Sequence, residues 1–303
     1  MLRVYICILC AGLFSSCASV HHKKLLGELS GFEPKESKID LKFYEQSTSQ
    51  CGPTSLYTIL KFYKAKHSYE KIKSMTYIEK AKGTHQTHML AAARRLGFSA
   101  YEINLKESFQ AVSQNRPTLI FHNLGLSWAP YYHFSVFAGY SLEDEEVLLH
   151  DGHDAYSKMS FKKFANTWSR GGNWSYLVVP ANTIPKHASL KAALSNASVF
   201  DRIDEKSAFK VYTAIVKKWP KSFEAYSGLG RIYYRRKENK KAELNMLKAQ
   251  SLNPKSIGLN YNLAYLYLKL KKIKKANRFK AKTLALAKDN KKYLETKFKS
   301  LGL

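Results

Sequence analysis

The chain has 303 residues, 50 of them Lys or Arg against 23 Asp or Glu, for a formal charge of +27. That length holds about two domains, each able to bury a core. No stretch reaches ~18 consecutive apolar residues, which excludes a transmembrane helix. The charge is uneven. From Lys186 onward there are 29 Lys and Arg against 8 Asp and Glu, so +21 of the +27 lies there.

The first sixteen residues read as an export signal rather than as structure. Arg3 gives a positive start, and Val4 to Phe14 is an apolar run too short to span a bilayer. Phe14-Ser15-Ser16-Cys17 resembles the lipobox of bacterial lipoproteins. By that resemblance Cys17 takes the lipid and becomes the new N-terminus. An ordinary cleaved signal or an uncleaved anchor are the alternatives. Ala18 carries no inner-membrane retention signal, so the expected place is the outer membrane, facing the periplasm. Residues 17–40 are polar and read as a tether. Export makes nucleic acid an unsuitable partner. The basic C-terminal part suits anionic headgroups, an acidic polymer or an acidic protein, or is a plain solubilising surface.

Of the four cysteines, Cys7 and Cys10 leave with the signal and Cys17 takes the lipid. Cys51 is then the single free thiol of an exported protein, which points to a reactive role. Around it, Gln46 to Leu56 reads as a polar loop turning into a helix. Gly52 tolerates the unusual angles of such a turn, and Pro53 suits a first helical position. Leu56, Ile59, Leu60 and Tyr63 form one apolar helix face. Cys51 therefore sits at a helix N-terminus, where the dipole favours a thiolate and lowers a thiol pKa from about 8.5 toward roughly 3.5–7.5. The Gln46 amide is placed to help bind an oxyanion. The competing reading is a small buried cysteine packing a helix start.

Further along, Tyr69 to Met75 and Thr87 to Leu96 read as helices, the second capped by Gly97. Phe98 to Leu105 alternates like a strand. Thr118 to Phe121, His133 to Tyr140, Val147 to His150 and Trp174 to Val179 read as strands, with a helix from Met159 to Trp168. A helical half followed by an antiparallel sheet is an α+β pattern. His133 opens one strand and Asp151 closes the next. Antiparallel neighbours joined by a hairpin bring such ends to one edge. There a carboxylate can orient an imidazole, and the imidazole can take a thiol proton. Each residue alone has a structural reading, His133 as a strand histidine and Asp151 as a turn former. Trp128 lines a groove or anchors a core, and both readings stand. His85 and His88 read as surface residues. A metal site in His150 to Asp154 is disfavoured, because adjacent strand residues face opposite ways.

Gln46…Cys51-Gly52-Pro53, the His133 strand ending Gly139-Tyr140, and Asp151 together resemble the bacteriocin-processing (double-glycine) peptidases, a papain-like group of cysteine peptidases. The likeness runs from about Tyr44 to Val179. It implies a papain-like domain over residues 41–182 with Cys51 as nucleophile, His133 as general base and acid, Asp151 as orienting residue and Gln46 as oxyanion donor. It implies no cofactor and no metal, and a peptide or protein as substrate. Where many members carry Asp-Pro this chain has Asp151-Gly152, which implies a looser turn.

Pro220 and Pro254 stand 34 residues apart. On that register Tyr226, Leu229, Gly230, Tyr233 and Ala242, in a unit that also holds Ala249, correspond to Asn260, Leu263, Ala264, Tyr267 and Ala276 in the next unit. This resembles the tetratricopeptide repeat, and implies an all-α domain over residues 186–303 that docks a protein partner. Two other functions stay open: an inert peptidase-fold scaffold, and a hydrolase of cell-wall peptides.

Overall fold

In the computed structural model, residues 20–47, 49–287 and 289–303 are described, and they fall into two units divided between Pro180 and Ala181. The signal segment and Cys17 lie outside the described residues. No helix among those described is long and apolar enough to cross a membrane.

The first unit is a twisted antiparallel sheet with helices packed on it. Its strands are β1 (Glu36–Lys38), β2 (Tyr77–Ile78), β3 (Gly83–Thr84), β4 (Phe98–Glu102), β5 (Thr118–Asn123), β6 (Tyr132–Ser141), β7 (Glu146–His150), β8 (Ser157–Ser160) and β9 (Ser175–Pro180). The main sheet runs β4-β9-β5-β6-β7-β8, with β1 also paired to β6, while β2 and β3 form a separate ribbon. The helices are α1 (20–29), α2 (Cys51–Phe62), α3 (Tyr69–Thr76), α4 (Gln86–Arg95), α5 (Leu105–Ser113) and α6 (Phe161–Arg170). Leu56, Ile59 and Leu60 of α2 are fully buried, as are Phe134 and Val136 of β6, on which the helix packs. β6 carries eight consecutive buried residues, so it is covered on both faces and loses the usual polar alternation.

Residues 20–40 are not a free tether. Leu25 and Leu29 of α1, together with Phe32 and Ile39, are buried in the core of this unit. β1 adds its own ladder, pairing Glu36 with Ser141 and Lys38 with Gly139. One i, i+4 pair of leucines and a three-residue strand do not stand out from a polar sequence.

The second unit contains α7 (Leu190–Ile203), α8 (Glu205–Lys218), α9 (Phe223–Arg235), α10 (Asn239–Leu252), α11 (Ile257–Lys269), α12 (Ile273–Leu286) and α13 (Lys291–Ser300). α7 packs on α8, α9 on α10 and α11 on α12. The 34-residue spacing is therefore the length of one helix pair. Small residues sit where the helices approach. A Cβ on Gly230 would lie 2.5 Å from the Met246 Cγ, and one on Gly228 would enter the Tyr212 ring. Arg231 and Arg235 of α9 both reach Asp201, and Arg235 and Arg236 share Glu205. Their guanidinium forks brace α7 and α8 against α9 with charge-assisted bonds.

Candidate active site

The thiol stands at the first residue of α2. Pro53 is thus the third helical residue, still within the first turn where a missing N–H costs no helical bond. The left-handed conformation of this turn falls on Ser49, with φ of 62°, rather than on Gly52. Gly52 serves close approach instead. A Cβ there would lie 2.7 Å from the Thr84 Cβ, so β3 grips the start of the helix. Tyr69 of α3 donates to the Gln50 side-chain oxygen at 2.7 Å and holds the residue before Cys51.

Cys51 and His133 line one cleft of about 980 Å³, together with Gln46, Tyr131, Tyr132 and His153. His133 Nε2 lies 2.8 Å from the backbone oxygen of Asp151. A carbonyl only accepts, so Nε2 carries the hydrogen, and Nδ1 is the basic nitrogen of the neutral ring. The antiparallel pairing of β6 and β7 brings this about, with Val136 opposite His150 and Asp151 one step past the strand end.

Asp151 reaches His133 through its main chain, not through its carboxylate. Its Oδ1 accepts from the N–H of His153 and of Asp154, both at 2.9 Å. This is an Asx turn, the local bonding to which aspartate is prone. Burial pulls the Asp151 carboxyl upward, but those two N–H groups, the Ser157 hydroxyl and His133 outweigh it, and the net shift is down. The carboxylate therefore stays charged beside His133, and its field favours the imidazolium.

Gln46 is pinned at both ends. Its N–H donates to the Gly152 carbonyl at 2.9 Å, and its Nε2 donates to His153 Nε2 at 2.9 Å. The second Nε2 hydrogen is available to an oxyanion, while Oε1 is buried without a partner. Gly152 is not a loose substitute for proline. Its φ is +92°, and a Cβ there would overlap the Gln46 amide. Proline's fixed φ forbids that geometry.

The electrostatics differ from the expectation of a dipole-stabilised thiolate. Burial pushes the Cys51 thiol above its ordinary 9.0, and the N–H groups of Phe134, Gly52 and Cys51 only partly offset it. Burial likewise pushes His133 down, against the pull of the Asp151 carbonyl and carboxylate. Both shifts favour the neutral forms of the thiol and the imidazole that line this cleft.

A second histidine, not among the residues the sequence singled out, neighbours His133. His122 of β5 pairs directly with His133 across the ladder, and their ring centroids are 5.8 Å apart. Its Nε2 bonds the Ser135 hydroxyl at 2.8 Å, and burial lowers it to about 3. Among the described residues no carbonyl or carboxylate bonds its ring, whereas His133 has the Asp151 carbonyl. The signal was there in the sequence, because His122 stands in the strand that must neighbour the His133 strand. Trp128 is 83% exposed, which removes the core-anchor reading, and it is not among the cleft residues. His85 and His88 are exposed, and His85 also lines the cleft.

Among solved structures, the peptidase domain of Streptococcus ComA is 21% identical, covering 47% of this chain and 98% of that one at a TM-score of 0.38. A C39-like peptidase from Bacillus anthracis is 16% identical over 48% and 98%, at a TM-score of 0.42. MamA from Desulfovibrio magneticus is 27% identical over 34% and 57%, at a TM-score of 0.31. No curated protein matches the sequence. Residues 41–174 match the Peptidase C39 family, and the chain therefore carries a Peptidase C39 family domain.

Proposed function

We propose that the chain is an exported cysteine peptidase that hydrolyses a peptide bond through Cys51, His133 and Asp151, with Gln46 at the oxyanion. The observation that carries this is the shared cleft of Cys51 and His133, with His133 Nε2 committed to the Asp151 carbonyl. That bond leaves Nδ1 to take the thiol proton as the sulfur attacks the substrate carbonyl. The oxyanion then faces the second Gln46 N–H and the main-chain N–H at the start of α2. Collapse expels the amine, which takes the proton from His133, and leaves a thioester on Cys51. Water, deprotonated by His133, attacks the thioester, and the released thiolate recovers that proton. The raised thiol and lowered imidazole make proton transfer concerted with attack rather than complete beforehand.

In this reading a lipid on Cys17 holds the protein at the outer membrane, facing the periplasm, and the repeats dock a protein partner or the substrate. The test is hydrolysis of a mixed peptide pool by the wild type and by Cys51→Ala. Cleavage by the wild type alone supports the proposal, and equal cleavage by both sinks it. Cleavage by neither would favour the second reading, a scaffold with an inert peptidase fold, to which the burial-raised thiol lends support.

Gly152→Ala tests the oxyanion assignment. The new methyl meets the Gln46 amide at a φ that L residues avoid, a strain of roughly 1–3 kcal/mol. The expected result is a drop in kcat/KM of about tenfold or more, carried mainly by kcat, from loss of one oxyanion donor. An unchanged kcat would remove Gln46 from the mechanism.

A further inference from the structure

Besides Cys51, Tyr131 and Tyr132, the ionisable side chains lining the cleft are Lys82, His85, His133, His153 and Arg170, and among the described residues no Asp or Glu lines it. Lys82 and Arg170 form no ion pair among the described residues. The Asp151 carboxylate acts on His133, but it is not among the lining residues and its Oδ1 is taken by the N–H groups of His153 and Asp154.

The fold holds Arg170 by its side chain and sets the backbone of the exposed Lys82. Arg170 ends α6, where Gly171 follows so close to β5 that a Cβ would lie 2.6 Å from the Phe121 oxygen. The guanidinium spends one N–H on the Asn123 carbonyl at 3.2 Å, which leaves the rest of its fork for a carboxylate. Lys82 takes a left-handed φ of 46° and leads into β3, whose Thr84 rests on Gly52 beside the nucleophile. On the same cleft, Tyr132 is 54% exposed and stacks on Phe121, giving an apolar shelf for the neighbouring part of a chain. A cleft with low-dielectric walls and one sign of charge concentrates the opposite sign.

We infer that this cleft selects peptides carrying a carboxylate within a residue or two of the bond that is cut, through Arg170 and Lys82. The inference rests on the peptidase reading and names its substrate class. Peptides with lysine in place of that acid are disfavoured, because among the described residues no carboxylate lines the cleft.

Two alkylating reagents of similar size test it, the anionic iodoacetate and the neutral iodoacetamide. Their rates at Cys51 in the full chain are read by mass spectrometry of the Cys51 peptide at pH 8. The rate ratio is normalised to that of a free thiol, which cancels intrinsic reactivity. The expected ratio lies above the free-thiol value, falls as salt is raised, and drops about tenfold in the double variant Lys82→Glu, Arg170→Glu. A ratio equal to that of the free thiol, flat with salt and unmoved by the double variant, overturns the inference. If the double variant does not fold, the salt series on the wild type decides alone. Matched peptides with Glu, Gln or Lys beside the bond form the second arm. Cleavage without preference and with a flat ratio removes the acidic substrate but leaves the peptidase. A charge-dependent ratio with no peptide cleaved removes the peptidase, and with it the substrate assignment. Faster cleavage of the Glu peptide with a charge-dependent ratio supports both.

Discussion

His133→Ala is expected to lower kcat/KM by about three orders of magnitude while leaving the fold intact, since a positioned base contributes roughly 10²–10⁴. The residue is 5% exposed, but its ring lies at a cleft wall, so truncation opens space to solvent rather than a sealed core void. The loss should exceed the usual expectation for a cysteine enzyme that already rests as an ion pair. Here burial raises the thiol pKa, and in the proposed mechanism the sulfur depends on Nδ1 at the moment of attack. The pH profile carries the distinction. In the variant, iodoacetamide labelling of Cys51 should climb tenfold per pH unit up to the raised thiol pKa, because hydroxide is then the only base. In the wild type, labelling at pH 7–8 should run well above that line. Superimposed profiles would mean that His133 does not touch the thiol proton.

The parts of this site that were legible in the sequence are those fixed locally or by a hairpin. Cys51-Gly52-Pro53 marks a helix start whatever the rest of the chain does. His133 and Asp151 are brought together by the antiparallel pairing of β6 and β7, which a short acidic turn announces. The use of the Asp151 carboxylate was not legible. Two main-chain N–H groups directly downstream compete for it and win, and only the path of the turn decides that. Nor was the role of the glycines. Gly152 bears the positive φ expected of such a residue, while Gly52 is small because Thr84, thirty-odd residues later, leans on it. The start of α5 is legible in the sequence, because Asn104 as N-cap and Glu107 at the third helical position form a complete capping box. By contrast α1 and β1 owe their existence to the sheet and core they join, and their own sequence argues for a linker. The repeat period shows because each helix pair repeats one packing problem, Gly230 against Met246 and Ala264 at the equivalent place.

His122→Gln should make the first unit more resistant to acid than the wild type, even if it is less stable at neutral pH. His122 is pushed down to about 3 in the folded chain, against about 6.5 when unfolded. Between those values the unfolded chain binds a proton that the folded chain refuses. Stability is therefore full above about pH 6.5 and is lost as pH falls toward 3, by roughly 3 kcal/mol at pH 4. Glutamine can keep the bond to the Ser135 hydroxyl and does not titrate, so that share of the loss disappears. Urea unfolding at pH 7 and pH 4, followed through hydrogen exchange of β5 and β6 amides, reads it out. The wild type should lose about 3 kcal/mol more than the variant over that interval, and parallel losses would show that His122 accepts a proton in place. The same measurement bears on catalysis, because a His122 that charged near neutrality would oppose the imidazolium that His133 must form 5.8 Å away. In the proposed mechanism, a His122 that stays neutral leaves His133 free to carry the proton.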